Sequence, residues 1–359
     1  MKKFTKNRKV FLILPYYYDP INDSRSYNAK VLSSELEKMN LKVFIFSRNG
    51  KFRPSGLIRK FIFNSSLLLN FHVLYNVLFL KPKEIIVRPD NMFFWFPIFL
   101  NKDRICYNIH SHLWEEIFET SLKNAINIFF TTILRKVIFS KKNKYIFNHR
   151  KLEYKFKELY NLKKTISISN GSKDSVPIKR KKYVLKKSFK AVFIGAITRW
   201  RDINIVQDFF NKYDSHLIKF YCVGKIYNYE LNPDIEYLGT IPFNKLKKNI
   251  DNFDFAVLNV SDYKSSPGSP IKLYDYAMLN LPILSISNIE GYSDLVQKYN
   301  LGLCVDFYNS NPDDYEKLKL FLEKINNNEF KYNSFVHFLN NNSWKKKAKD
   351  WYNFINSKK

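Results

Sequence analysis

The chain has 359 residues, enough for two domains with separate cores, and its 45% apolar content suits a folded protein better than a disordered one. It carries 60 Lys+Arg against 32 Asp+Glu, a formal charge of +28 that attracts polyanions and anionic membrane surfaces. Most of the excess is lysine in a chain rich in Asn, Ile, Phe and Tyr, so compositional bias on solvated faces explains the charge equally well, while Cys106, Cys222 and Cys304 form no C-x-x-C pair and suggest neither a disulfide framework nor a metal site.

Lys2, Lys3, Lys6, Arg8 and Lys9 precede an apolar run over 10–14, which Pro15 ends. That run is too short for a secretory signal and reads as a first buried strand. A polar loop over 16–26 follows, with Asp23, Ser24 and Arg25 in it, where Arg25 suits a structural salt bridge or a ligand or phosphate contact equally well. An amphipathic helix is expected over 28–39, with Val31, Leu32, Leu36 and Met39 on one side, then a strand over 42–46. The stretch 57–80 reads as helix. Asn64, Ser65, Ser66, Asn70, His72 and Asn76 break its apolar run too often for a membrane span. Strands are expected over 84–87 and 104–109, a helix over 121–139, and short strands over 144–147 and 165–168. Arg88, Pro89 and Asp90 follow one of these strands as either a turn cap or an acceptor contact. The helices over 57–80 and 121–139 place Arg59, Lys60, Arg135 and Lys136 among bulky apolar residues. This mixture suits buried packing, or an enzyme lying on the inner face of a cell membrane.

Asn170-Gly171 marks a turn, and the basic stretch 173–189 reads as an interdomain linker. Its run Lys179-Arg180-Lys181-Lys182 reads as solvated linker rather than a nucleic-acid patch. The strand–helix alternation then restarts, with strands over 191–194, 219–223 and 235–238 running into Gly195, Gly224 and Gly239. Such glycines let a ligand approach backbone closely at a sheet's carboxyl edge. Further strands are expected over 255–259 and 282–285. The expected architecture is α/β, with two Rossmann-like domains facing each other across a cleft. Residues 1–172 would form the first domain, 173–189 the linker, 190–340 the second domain, and 341–359 a C-terminal helix.

The segment 265–270, Ser-Ser-Pro-Gly-Ser-Pro, directly precedes a helix expected over 271–280, which Pro282 stops. Free amides and the positive dipole end at a helix start make an anion site. Ser269 suits the cap and Pro270 the first helical position. Lys272 adds a full charge beside those amides, and Asp275 lies about a turn further on. A diphosphate at the helix start with a ribose diol near the carboxylate makes a physically sensible nucleotide clamp.

The run SPIKLYDYAMLNLPILS over 269–285 resembles the donor-site segment of family 4 and related GT-B glycosyltransferases, usually P-x-K-x-x-E-Y-x-x-x-G-x-P-V. Pro270, Lys272, Tyr276 and Pro282 match; Asp275 stands for the family's ribose-binding Glu, and Asn280 for its Gly. AVFIGAITRWRDINIV resembles the opening of the family's second domain, with Gly195 matching. Ala196 and Arg201 stand where the family has its diphosphate-binding Arg and Lys, with Arg199 nearby to compensate. YCVGK, IEYLGTIPFNKL and NFDFAVLNV match the next strands, and NSWKKKAKDWYNFI resembles the last helix. ICYNIHSHLWEE places His110 on the first-domain His near the reaction centre.

The resemblance implies sugar transfer from a nucleoside-diphosphate sugar to a glycan acceptor, lipid-linked in bacterial capsule, exopolysaccharide or O-antigen synthesis. The implied donor set is Gly195, Arg199, Arg201, Ser269, Ile271, Lys272, Leu273 and Asp275, with His110 catalytic. No cofactor, bound metal or nucleic-acid partner is implied. His112, two residues after His110, gives no third ligand for a metal. The family's E-x7-E pair is incomplete, because Pro267 replaces its first acid. The stereochemical course therefore stays open, and an inverting course would need a base from among His110, Glu115, Glu116 and Asp19. A nucleotide-sugar 2-epimerase of the same fold and a basic nucleic-acid-binding module are the alternatives.

Overall fold

The computed structural model describes residues 8–17, 24–48, 66–87, 105–110, 139, 143–180, 185–214, 216–259, 270–286, 291–306 and 313–357. The chain divides into two compact units, Met1–Asn170 with Trp344–Lys359, and Gly171–Ser343.

The first unit holds a six-stranded parallel sheet in the order β2-β1-β3-β4-β5-β6. Its strands are β1 (Arg8–Tyr17), β2 (Leu41–Arg48), β3 (Glu84–Val87), β4 (Ile105–Ile109), β5 (Lys144–Phe147) and β6 (Lys164–Ser167). Side chains alternate between its faces, so each face meets its own helices. Val10, Leu12, Leu14, Ile86, Cys106 and Ile146 pack on α1 (Ser24–Lys38) and the C-terminal helix Trp344–Asn356. Phe11, Ile13, Ile85, Val87, Tyr107 and Phe147 pack on α2 (Ser66–Leu80) and α3 (Arg150–Tyr160). Burial on both faces is why β3, β4 and β5 read as short, mainly apolar runs, in which Glu84, Asn108 and Lys144 are buried too. α3 has no counterpart in the sequence expectations; its N-cap is His149, whose Nδ1 accepts from the Lys151 N–H at 3.2 Å. The helix expected over 57–80 is described only from Ser66, and the one over 121–139 lies outside the described residues except Phe139.

The second unit holds a six-stranded parallel sheet in the order β12-β11-β10-β7-β8-β9. Its strands are β7 (Phe189–Ile194), β8 (Ile218–Val223), β9 (Glu236–Tyr237), β10 (Phe255–Leu258), β11 (Ile283–Ser285) and β12 (Gly302–Cys304). Its helices are α4 (Ile203–Asp214), α5 (Phe243–Lys248), α6 (Ile271–Met278), α7 (Ser293–Lys298), α8 (Asp313–Asn326) and α9 (Tyr332–Asn341); the C-terminal helix is α10 (Trp344–Asn356). β7 enters at the centre, and the chain lays down β8 and β9 on one side before returning to β10 on the other.

The stretch expected as a linker is fastened to the second unit instead. The Ile178 N–H donates to the Met278 carbonyl at 2.9 Å, and Arg180 donates to the Phe253 carbonyl. Lys186 pairs with Asp254, and the Tyr332 hydroxyl donates to the Pro177 carbonyl at 3.0 Å. Backbone groups in an interdomain stretch need partners where they are buried, and here the second unit supplies them.

Candidate functional site

An open parallel sheet binds ligands outside its carboxyl edge at the point where strand order reverses. In the second unit that point lies between β7 and β10. Tyr276 of α6 is fully buried across it: its hydroxyl accepts from the Ile194 N–H at 3.1 Å and donates to the Val257 carbonyl at 3.0 Å. Burial raises this phenol above its ordinary range, so it stays protonated and can both donate and accept. One side chain thereby ties α6 to both strands of the reversal.

α6 begins at Ile271, with Pro270 in the cap position rather than the first helical position expected for it. Proline offers no side-chain acceptor, and the cap makes no side-chain hydrogen bond. The Leu273 N–H donates to the Pro270 carbonyl at 3.2 Å, and the Leu273 side chain is fully buried in the core. Leu273 is therefore a packing residue, and the amides left at the helix start are those of Ile271 and Lys272. Ser269 and Pro267 lie outside the described residues, with the rest of 260–269.

Lys272 lies over the end of β7. Its Nζ is 5.2 Å from the centroid of the Phe193 ring. A β-carbon at Gly195 would overlap its Cε and Nζ, so a larger residue there would push the end of this lysine aside. Gly195 has φ +142°, a conformation open essentially to glycine alone. The Gly195 position is thus filled by the lysine, and the glycine serves to admit that side chain. Gly224 is packed as tightly: a β-carbon there would meet the Gly195 carbonyl oxygen at 1.9 Å. Of the three strand-end glycines expected to expose backbone, Gly239 alone has open space beside it.

Arg201 and Arg199 lie on a short 3-10 turn after β7, and the fold treats them differently. Arg199 is exposed. Arg201 is buried, and its Nη1 donates to the Asn259 carbonyl at 3.2 Å. Asn259, just beyond β10, returns the contact: its Nδ2 donates to the carbonyls of Arg201 at 2.7 Å and Asp202 at 3.0 Å. This reciprocal clamp holds the Arg201 turn against the other strand of the reversal.

Arg201 and Lys272 act on each other electrostatically. Burial drives the Lys272 ammonium well below its ordinary range, and the positive charge of Arg201 pushes it the same way. Asp275, on the same helix, opposes that shift, but burial pushes its own carboxyl up to about 7, against the pull of Lys272 and Lys247. The Lys272 ammonium thus stands near a like charge, beside a carboxyl that ionises reluctantly. Among the described residues the Lys272 ammonium makes no ion pair. A bound anion is the group that would relieve this arrangement.

His110 lies at the end of β4 in the first unit, partly buried, with its carbonyl accepting from Asn148 Nδ2 at 2.7 Å. His112, Glu115, Glu116, Asp19, Asp23, Arg88 and Asp90 lie outside the described residues. Among the described residues no group of three His, Cys, Asp or Glu side chains could hold a metal ion. The sequence singled out Lys272, Gly195 and Asp275, which the fold brings into one neighbourhood. It gave no part to Asn259, Phe193 or Lys247; strand-end position, directly after the apolar run of β10, is the one signal that marks Asn259.

No family model matches the sequence, and no curated protein is similar to it in sequence. Solved structures are similar along nearly the whole chain. A glycosyltransferase from Rickettsia africae ESF-5 is 12% identical with a TM-score of 0.69, covering 99% of this chain and 100% of that one. Sucrose-phosphate synthase from Thermosynechococcus elongatus is 13% identical with a TM-score of 0.67, covering 96% and 97%. WaaG, a glycosyltransferase involved in lipopolysaccharide biosynthesis, is 11% identical with a TM-score of 0.66, covering 97% and 100%. The chain has the GT-B fold of these proteins, with two parallel α/β sheets.

Proposed function

We propose that the chain transfers a sugar from a nucleoside-diphosphate sugar to a glycan acceptor. The observation that carries this reading is the pair Arg201 and Lys272, two mutually opposed cations at the strand-order reversal beside an uncapped helix start. A diphosphate is the anion whose charge and size suit that place, since it can meet both cations and the amides of Ile271 and Lys272 together. Charge builds on the diphosphate as the sugar–oxygen bond breaks, and fixed cations stabilise it without reorganising. Arg199 is exposed on the same turn and within the set assigned to the donor. Asp275 is assigned to the ribose hydroxyls; a carboxyl poised near 7 can accept or donate a hydrogen bond to a diol. His110 is assigned to the acceptor side as the group near the transferred sugar. The GT-B fold, shared with glycosyltransferases, supports this chemistry by analogy.

The acceptor is proposed to be a lipid-linked glycan of bacterial surface polysaccharide synthesis, such as capsule, and the protein cytoplasmic and peripheral on the inner membrane face. Supporting this, α2 carries no charged residue and exposes Phe71, Tyr75, Leu78 and Phe79 at 54%, 55%, 62% and 66%. Their spacing puts these four on one side of the helix. Lys81 and Lys83 follow directly, a cationic flank suited to anionic headgroups. No described helix is long and apolar enough to cross a membrane.

The direct test incubates the protein with a panel of nucleotide sugars and measures nucleotide release, with and without a lipid-linked acceptor. One donor should bind saturably and release its nucleotide when acceptor is present, and Asp275→Ala should weaken that binding. If no nucleoside diphosphate binds, the reading fails. An isomerised nucleotide sugar without nucleotide release would identify an epimerase instead.

A further inference from the structure

A cavity of about 790 Å³ lies in the second unit, away from the Lys272 site. Its walls come from the fastened stretch at Lys179 and Arg180, the turn between α6 and β11 at Asn280 and Pro282, and the α8–α9 connection over 325–333. Because all the strands are parallel, Pro282 marks the amino edge of the sheet, whereas Gly195 marks the carboxyl edge. The two sites therefore lie at opposite ends of α6, whose start belongs to one and whose closing turn belongs to the other.

The chemistry of the wall is one-sided. Lys179, Arg180 and Lys331 line it and no carboxylate does. Arg180 is committed to the fold, donating to the Phe253 carbonyl and facing Asp251 at 3.6 Å. Lys179 and Lys331 are exposed, and neither pairs with an acid among the described residues. Lys331 Nζ donates to the Asn328 carbonyl at 2.9 Å, which holds its ammonium at the rim. Five asparagines share the wall. Asn326 is occupied with both backbone groups of Lys186, and Asn327 with Glu329. The side-chain amides of Asn280, Asn328 and Asn333 have no hydrogen-bond partner among the described residues. Tyr332 and Phe330 complete the lining.

A concave surface bearing one sign of charge concentrates the opposite charge in solution. Amide side chains offer a donor and an acceptor side by side, the pair that a vicinal diol needs. Aromatic rings supply the apolar floor on which a sugar ring rests, and the volume falls within the range of small-ligand sites. We infer that this cavity binds an anionic saccharide, a short glycan bearing carboxylates, by its carboxylate on Lys179 and Lys331 and its hydroxyls on Asn280, Asn328 and Asn333. The inference stands on this cavity alone and does not depend on the reaction at the Lys272 site.

The test is calorimetric titration of the full chain, without any nucleotide sugar, using hexuronate oligosaccharides and the same chains with carboxyls reduced to alcohols. The acidic chain should bind about tenfold or more tightly than the reduced one, as two charge-assisted contacts are lost. Lys179→Glu and Lys331→Glu should each weaken binding by about fivefold or more, and Asn333→Ala by a smaller factor. Lys212→Glu on α4 makes the same change in net charge at an exposed site and should leave binding unchanged. Equal losses in Lys212→Glu and Lys331→Glu would overturn the site, since the overall charge would then suffice. Equal binding of acidic and reduced chains would overturn it too. So would tighter binding of tripolyphosphate or a single-stranded oligonucleotide, with the same sensitivity to Lys331→Glu. Circular dichroism of each variant separates lost binding from lost folding, and these exposed positions leave the core intact.

Discussion

Two lysines, one in each unit, show how differently a fold can treat the same charge. Lys144 of β5 is buried in the first unit, and its ammonium is answered there by Glu84 at 3.2 Å and by the Ile355 carbonyl of α10 at 2.8 Å. Lys272 of α6 meets an aromatic ring, a glycine and the like charge of Arg201. A buried charge that the protein answers is part of the structure, while a half-buried one without an ion pair suits the anion proposed for it. The pair in the first unit also anchors the C-terminal helix, beside the Arg8 and Lys83 contacts to Asn356, each at 2.9 Å. Lys272 makes no comparable ion pair among the described residues.

Removing each lysine is the most forceful way to break this contrast. Lys144→Met removes the buried ammonium that Glu84 and the Ile355 carbonyl share and should cost the first unit about 3–5 kcal/mol, read from chemical denaturation. Lys272→Met removes a charge that is costly to bury, so the thermal midpoint should hold or rise. Nucleoside-diphosphate affinity should fall roughly 10- to 100-fold, read by calorimetry. A loss of stability in Lys272→Met as large as that in Lys144→Met would collapse the distinction. Tyr276→Phe sharpens it more gently. Both hydrogen bonds across the strand reversal disappear, so stability should fall by about 1–3 kcal/mol. Donor affinity should fall with it, because α6 loses its tie to β7 and β10.

The last contrast is in pH dependence, where the two ionisable groups of α6 have opposite signs. Asp275 is pushed from 3.8 to about 7 by burial, so the folded chain keeps a proton that the unfolded chain releases. Stability therefore falls as pH rises from about 4 to about 7. Lys272 is lowered by burial and by Arg201, so the folded chain releases a proton that the unfolded chain keeps. Stability then rises with pH from its lowered value toward 10.5. Asp275→Asn should remove the first slope and Lys272→Met the second. Thermal midpoints measured from pH 4 to pH 9 check both; Asp275→Asn with an unchanged slope below pH 7 would show that Asp275 ionises normally.

Much of the fold was legible because parallel strands are short apolar runs. The runs expected over 84–87 and 144–147 match β3 and β5 in both bounds. Others differ by a residue or more at an end, since hydrogen bonding carries a strand past its apolar core, as in Arg8–Tyr17. α3 was passed over: it is short and opens on a histidine cap instead of the usual Ser, Thr, Asp or Asn. β12, three partly buried residues at a sheet edge, leaves little pattern to read. At the site, Lys272 and Asp275 were legible from a capped-helix pattern and a family resemblance. The burial of Leu273 and Arg201 was not, because side-chain environment depends on what packs from elsewhere.

The sequence by itself determined the alternation of strands and helices in each half, the glycines that end β7, β8 and β9, and the proline that opens α6. These are local matters of periodicity and backbone freedom. The tertiary structure alone decided which cations are answered. Lys144 meets Glu84 across 60 residues of chain, and Arg201 meets Asn259 across 58. Desolvation and charge pairing belong to the packed volume, so a run of lysines in the sequence does not reveal which one the fold leaves facing another cation.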